Sequence, residues 1–120
     1  EGGFAPDLED AAAVLYLICE AVEKAGYQME KDIVIALDAA SSELYDPEKQ
    51  MYLFPGESRM KGTEVVRSSD EMISYLEELC NQFPIASIED QLMDILLTHY
   101  SSLVEILEEF QQQELLMMFQ

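Results

Sequence analysis

Three carboxylates stand where they could do chemistry. Asp38 closes the apolar run IVIAL, Glu89 closes the run IASI, and Glu1 directly precedes a Gly-Gly pair. Neighbouring parallel strands lie about 4.8 Å apart, so acids at two adjacent strand tips can share one cation. A hard divalent ion such as Mg²⁺ suits them, because it prefers carboxylate oxygen and keeps several waters or substrate oxygens in its shell. The same two acids would serve equally to cap the following turns or to solvate the strand ends. With 25 acidic residues in the chain, an acid at a strand tip says little by itself. Glu1, held on a loop whose glycines reach backbone angles closed to other residues, could act as a general acid or base. Read alone, it is only a first residue. The single histidine, His99, has no partner at ligand spacing and reads as a surface or interface residue.

The elements that must position these acids follow from periodicity. Residues 1–6, EGGFAP, read as a loop. Asp7 is a plausible N-cap for a helix over residues 9–25, in which Val14, Leu15, Ile18, Cys19 and Val22 recur at helical spacing and Gly26 supplies the stop. Residues 33–37 form an uninterrupted apolar run rich in β-branched side chains, the pattern of a parallel strand buried on both faces. Residues 39–42 read as a loop. Residues 44–46 and 51–54 flank the turn Pro47-Glu48-Lys49 and read as a small hairpin, with a loop over residues 55–63. Ser68 and Glu71 form a capping box before a helix over residues 69–82, which Pro84 ends. Residues 85–88 are a second short strand. Helix, strand, hairpin, helix, strand is the grammar of βα repeats, with parallel strands and right-handed crossovers. In an eight-fold barrel of that kind, functional residues project from the C-terminal strand ends. Residues 91–120 differ: Leu96, Tyr100, Leu103, Leu107 and Phe110 make a short heptad-like seam, followed by the apolar cluster LLMMF. That stretch reads as one long amphipathic helix with a packing role.

Composition narrows the function. The net charge is −19, with 6 basic residues against 25 acidic ones, which disfavours nucleic acid and anionic membrane surfaces as partners. No Lys or Arg follows Arg67, so the positive partners of an anionic substrate must be metal ions or groups outside this chain. Cys19 and Cys80 sit inside predicted helices, without a CxxC or Cys/His spacing, and read as reduced buried thiols of a cytoplasmic protein rather than a disulfide or a zinc site. No apolar run has the length of a membrane span and no signal peptide is visible. A chain that opens at Glu1 without methionine reads as a piece of a longer polypeptide.

Three ordered segments then carry a resemblance. Residues 1–6, EGGFAP, residues 33–43, IVIALDAASSE, and residues 83–90, FPIASIED, resemble in order and spacing the loop and two strands of the enolase family, and the intervening EAVEKAGY, YDPEKQMYLF and SSDEMISYLEELCNQ resemble it as well. The resemblance covers residues 1–90. It implies a partial TIM-type (β/α) barrel and the family reaction, a magnesium-dependent carbon–oxygen lyase step of glycolysis from 2-phosphoglycerate to phosphoenolpyruvate and water. It implies that Asp38 and Glu89 match two of three carboxylates that hold Mg²⁺, and that Glu1 matches the glutamate assisting departure of the substrate hydroxyl. In the family, Mg²⁺ stabilises the ene-diolate while a lysine takes the α-proton. Ser41 and Ser42 fall in the matching loop and are assigned no chemistry. The third metal carboxylate, the catalytic lysine, the substrate-gripping arginine and lysine, and the N-terminal domain have no counterpart in this sequence.

The expectations are therefore an α/β fold: a partial barrel over residues 1–90 with two parallel strands, a small hairpin and two covering helices, then a divergent helical tail over residues 91–120. The expected function is that of an enolase fragment, inactive as an isolated chain, with a small phosphorylated substrate and Mg²⁺ implied by family. The alternative is an enolase-derived scaffold whose tail helix mediates self-association or binds another protein.

Overall fold

Alternating burial along one short strand organises the molecule. A computed structural model of the chain describes Gly3, residues 5–89, Glu105, Glu108 and Glu109. Strand β1 (Ile35–Asp38) pairs in parallel with β5 (Ile85–Glu89), with Ile35 opposite Ile85 and Asp38 opposite Glu89. Successive side chains on a strand point to opposite faces. Accordingly Ile35 and Leu37 join the apolar core, while Ala36 and Asp38 are exposed on the other face. In β5 the apolar residues are Ile85 and Ile88, three apart, which a regular strand cannot place on one face. A register shift resolves this: Ile35 faces Ile85, but Ala36 faces Ser87. The extra residue, Ala86, resets the alternation, so that Ile85 and Ile88 pack inward and Ser87 and Glu89 lie exposed.

Two helices cover the inward face. Helix α1 (Ala11–Lys24) contributes Leu15, and α4 (Ser69–Gln82) contributes Leu79, to a buried cluster with Ile35, Phe83 and Ile85. Tyr16 sets its ring edge-on to Phe83 at 4.8 Å. The expected cap of α4 is present, with Ser68 Oγ accepting the Glu71 N–H at 3.2 Å. The expected cap of α1 is not Asp7. Asp10, in extended conformation, accepts the Ala13 N–H at 2.9 Å and starts the helix one turn later, while Asp7 pairs with Arg59 at 3.0 Å. The first strand is also shorter than its apolar run: it begins at Ile35, and Ile33 makes an isolated bridge to Met29.

The crossover between the parallel strands holds more structure than a hairpin. It runs through α2 (Ser41–Leu44), the strands β2 (Tyr45–Asp46) and β3 (Met51–Leu53), α3 (Pro55–Lys61), and β4 (Val66–Arg67). The expected hairpin is β2–β3, and β4 adds a third antiparallel strand. Of the two segments expected to be loops, residues 55–63 contain α3, and residues 39–42 hold the start of α2, which takes Leu44 from the expected hairpin strand. Helix α3 has Pro55 at its start and ends on Gly62 in the left-handed conformation, φ +70°. The small sheet rests on α4 through fully buried Tyr52 against Met72 and Leu76. Among the described residues the architecture is mixed α/β with a two-stranded parallel sheet and no closed barrel. The long tail helix expected over residues 91–120 lies outside the described residues, apart from Glu105, Glu108 and Glu109, which are helical and exposed.

One buried ion cluster ties the crossover together. Glu57, on α3, is 8% exposed. Its two oxygens accept hydrogen bonds from Arg67 Nη1 and Nη2 at 3.0 and 3.2 Å, and Lys61 Nζ donates at 2.8 Å. The Arg67 guanidinium also lies 4.2 Å from the Phe54 ring centroid and 3.9 Å from that of Tyr75. Burial pushes the Glu57 pKa up, but the hydrogen bonds and charges of Arg67 and Lys61 outweigh it, and the net direction is down from 4.5. A carboxyl with a lowered folded pKa contributes stability that is complete above its unfolded value and is lost as pH falls through the folded one. Removing Arg67 leaves the Glu57 charge buried and poorly compensated, so Arg67→Met should cost about 3 kcal/mol in urea unfolding at neutral pH. Lys61→Met, at a more exposed ammonium, should cost less. Melting curves of the unsubstituted chain should show stability falling below about pH 4.5, and Arg67→Met should flatten that acid limb.

Candidate site at the strand tips

The register of β1 and β5 brings together two of the three acids singled out from sequence. Asp38 and Glu89 are direct partners at the C-terminal ends of adjacent parallel strands, and both are exposed on the face away from the helices. The turn after β1 fastens this arrangement. The Ala39 N–H donates to the Glu89 carbonyl at 3.0 Å, which carries the pairing one residue past Asp38. The Ala40 N–H donates to Asp38 Oδ1 at 3.1 Å. Ala40 itself has φ +45° and ψ +38°, a left-handed conformation that alanine adopts at a cost. Its carbonyl accepts the Glu43 N–H at 2.9 Å, and α2 begins at the next residue.

The chemistry available there is that of hard oxygen donors. Two carboxylates on one face, at neighbouring strand tips, present the donor type that Mg²⁺ takes. They amount to half a site: among the described residues no group of three or more His, Cys, Asp or Glu side chains is placed to hold a metal. Glu1 and His99 lie outside the described residues. Ser41 is fully buried, and its hydroxyl has no hydrogen-bond partner among the described residues. Ser42 is exposed. A cavity of about 480 Å³ opens beside Asp38, with Leu37, Leu76 and Leu79 on its apolar side and Asp10 and Arg59 at its polar side.

The remaining nucleophiles do not enter this site. Cys19 and Cys80 are free thiols, each half-buried. Burial, with the Glu77 charge adding to it, pushes the Cys80 thiol up to about 11, so it stays protonated and inert at neutral pH. No sequence motif singles out Ala39 and Ala40, whose N–H groups bond the Glu89 carbonyl and Asp38 Oδ1. Their signal was a run of small residues after a strand-ending acid, which permits a tight turn without specifying its hand.

Comparison with known proteins agrees with this geometry. Residues 1–115 match the model of the enolase C-terminal TIM barrel domain, a match that runs on past residue 90. Enolase of Malacoplasma penetrans (strain HF-2) is 44% identical over 99 residues, covering 78% of this chain and 22% of that protein. The chain therefore spans less than a quarter of the length of the curated relative it matches. A parallel strand pair covered by helices on one face, in a sequence that follows the family model over most of its length, makes this chain a member of the enolase family, within its C-terminal TIM barrel domain.

Proposed function

We propose that the chain supplies part of an enolase active site, with Asp38 and Glu89 as two of the carboxylates that hold Mg²⁺ and Glu1 as the group that assists departure of the substrate hydroxyl. The observation that carries this reading is the direct pairing of Asp38 with Glu89 on the exposed face of the parallel sheet. A divalent cation bound there would supply positive charge to a phosphorylated, carboxylated substrate such as 2-phosphoglycerate. The chain's own part is to hold that cation through two strand-borne oxygens and, at Glu1, to hand a proton to the leaving hydroxyl. A boundary at residue 90, with residues 91–120 as a separate helical tail, and a cytoplasmic setting belong to the same proposal. Among the described residues no helix is long and apolar enough to cross a membrane.

Three carboxylates supply neither a base to abstract the α-proton nor fixed positive charge for a phosphate. No Lys or Arg lies beyond Arg67, and Arg67 is engaged with Glu57. The 120-residue chain should therefore be inactive by itself, since losing members of a site that acts as a unit commonly costs orders of magnitude in rate. Formation of phosphoenolpyruvate by the purified chain, followed in a coupled assay, would contradict this. Mg²⁺ titration by calorimetry should show weak binding that Asp38→Ala removes; tight binding, or binding indifferent to that substitution, would count against the assignment.

A second reading, of the chain as an association module, is favoured by α1. Val14, Leu17 and Ile18 recur at helical spacing and are 37, 48 and 41% exposed, giving a stripe that another apolar helix can cover. Sedimentation of the full chain beside Leu17→Glu, which puts a charge in that stripe, decides it. The reading expects association that the substitution weakens, and two equally soluble monomers would end it.

A further inference from the structure

We infer that the cavity bounded by α1, α3 and α4 is a binding site for a small organic cation, an ammonium group carried on an apolar body. The cavity measures about 480 Å³, within the range of about 300–1,000 Å³ that encloses small ligands. Members of both buried clusters line it. Leu79 belongs to the cluster around Ile35 and Ile85, while Met72 and Leu76 belong to the one around Tyr52. Leu37 and Phe54 extend the same apolar floor. A hydrocarbon body that covers this floor removes apolar surface from water, which favours binding.

The charges around the cavity fix the sign of the ligand. Five acids line it against one base, Arg59. Arg59 is matched by Asp7 at 3.0 Å, and Asp10 lies 3.7 Å from Lys61. Buried Glu57 is held by Lys61 and Arg67. That leaves Glu9 and Asp38, both exposed and neither in an ion pair among the described residues. Lys61 acts on Glu9 only at longer range. A cation over the apolar floor therefore meets two carboxylates that the protein leaves unmatched, whereas an anion meets them in repulsion. A bare metal ion would leave the floor wet, and a neutral hydrocarbon would leave the carboxylates unmatched. An ammonium on an alkyl or aryl body satisfies both. The site is thus distinct in ligand from the strand-tip metal reading and unsuited to a phosphorylated substrate.

The experiment titrates the isotope-labelled full chain by NMR, in EDTA so that no metal competes at Asp38. Three probes share a phenylethyl body: 2-phenylethylammonium, 2-phenylethanol and 3-phenylpropanoate. The amides of Val14, Leu37 and Leu76 report on the cavity. The ammonium should shift them and bind about threefold more tightly than the alcohol for each carboxylate it reaches, the worth of an exposed ion pair. The propanoate should bind most weakly. Glu9→Gln, an exposed substitution that the fold tolerates, should weaken the ammonium about threefold and leave the alcohol unchanged. Equal binding of the three probes, or an alcohol as sensitive to Glu9→Gln as the ammonium, overturns the cation assignment. Cavity amides that none of the probes shifts overturn the site itself. Either failure leaves the metal reading standing, because Mg²⁺ is absent from every arm.

Discussion

The in-register parallel pairing of β1 and β5 is the constraint on which the rest of the structure depends. It puts Asp38 opposite Glu89, and it forces everything between the strands to be a crossover. Parallel neighbours cannot be joined by a tight turn; they need a connection that leaves one strand's end and returns to the other's start. Helix α4 does most of that returning, and its buried face of Met72, Ile73, Leu76 and Leu79 packs under both the parallel pair and the small antiparallel sheet. The register shift at Ala86 is as consequential as the pairing. Without it, Ile85 pointing inward would send Ser87 and Glu89 inward too, and a carboxylate would meet the core. One extra residue trades that conflict for a local irregularity and delivers Glu89 to the face that carries Asp38.

The crossover is held together by a different interaction. The strands β2, β3 and β4 are two or three residues long, too short to hold a sheet by backbone pairing. The Glu57 carboxylate supplies what the ladder cannot, because its partner Arg67 is on β4 while Glu57 and Lys61 are on α3. The Arg67 guanidinium then lies against Phe54 and, across the interface, Tyr75 of α4. A planar, always-charged group with a fork of donors can do both at once, which an ammonium cannot. In a chain of net charge −19, committing one of six basic residues to the interior marks this cluster as the fastening of the excursion to the barrel wall.

The elements legible in sequence were those with a periodic apolar face. Both long helices and both parallel strands were found within a few residues, because Leu15 and Val22, or Leu76 and Leu79, announce a buried stripe. Helix α3 and the start of α2 were read as loops and Leu44 as strand, since four and seven residues are too few for a stripe to repeat. For α3 the termini were nevertheless marked. Pro55 opens it, Glu57 sits in the first turn, Arg59 and Lys61 occupy the last, and Gly62 closes it. The cap of α1 was misplaced by one turn because Asp7 and Asp10 are chemically equivalent, and only the ion pair with Arg59 distinguishes them. The candidate site was legible as acids on strand ends. Residues 85–88 were read as a plain strand and their register shift was not, and the left-handed turn at Ala40 carried no residue-type signal, since alanine is not expected at φ +45°.

The strand-tip acids make most physical sense in a setting this chain creates only in part. Like charges directly opposite each other on neighbouring strands repel. Here both are exposed, and water and salt screen that repulsion. In a closed barrel the same face is the packed interior and its rim, where desolvation raises the cost of two unpaired carboxylates and with it the advantage of a cation between them. The open face of β1 and β5 carries Ala36, Ser87, Asp38 and Glu89, polar as a solvated face requires and small at Ala36 and Ser87. Small side chains leave room and carboxylates bring charge. Both properties fit a face that further strands of a TIM barrel domain would enclose.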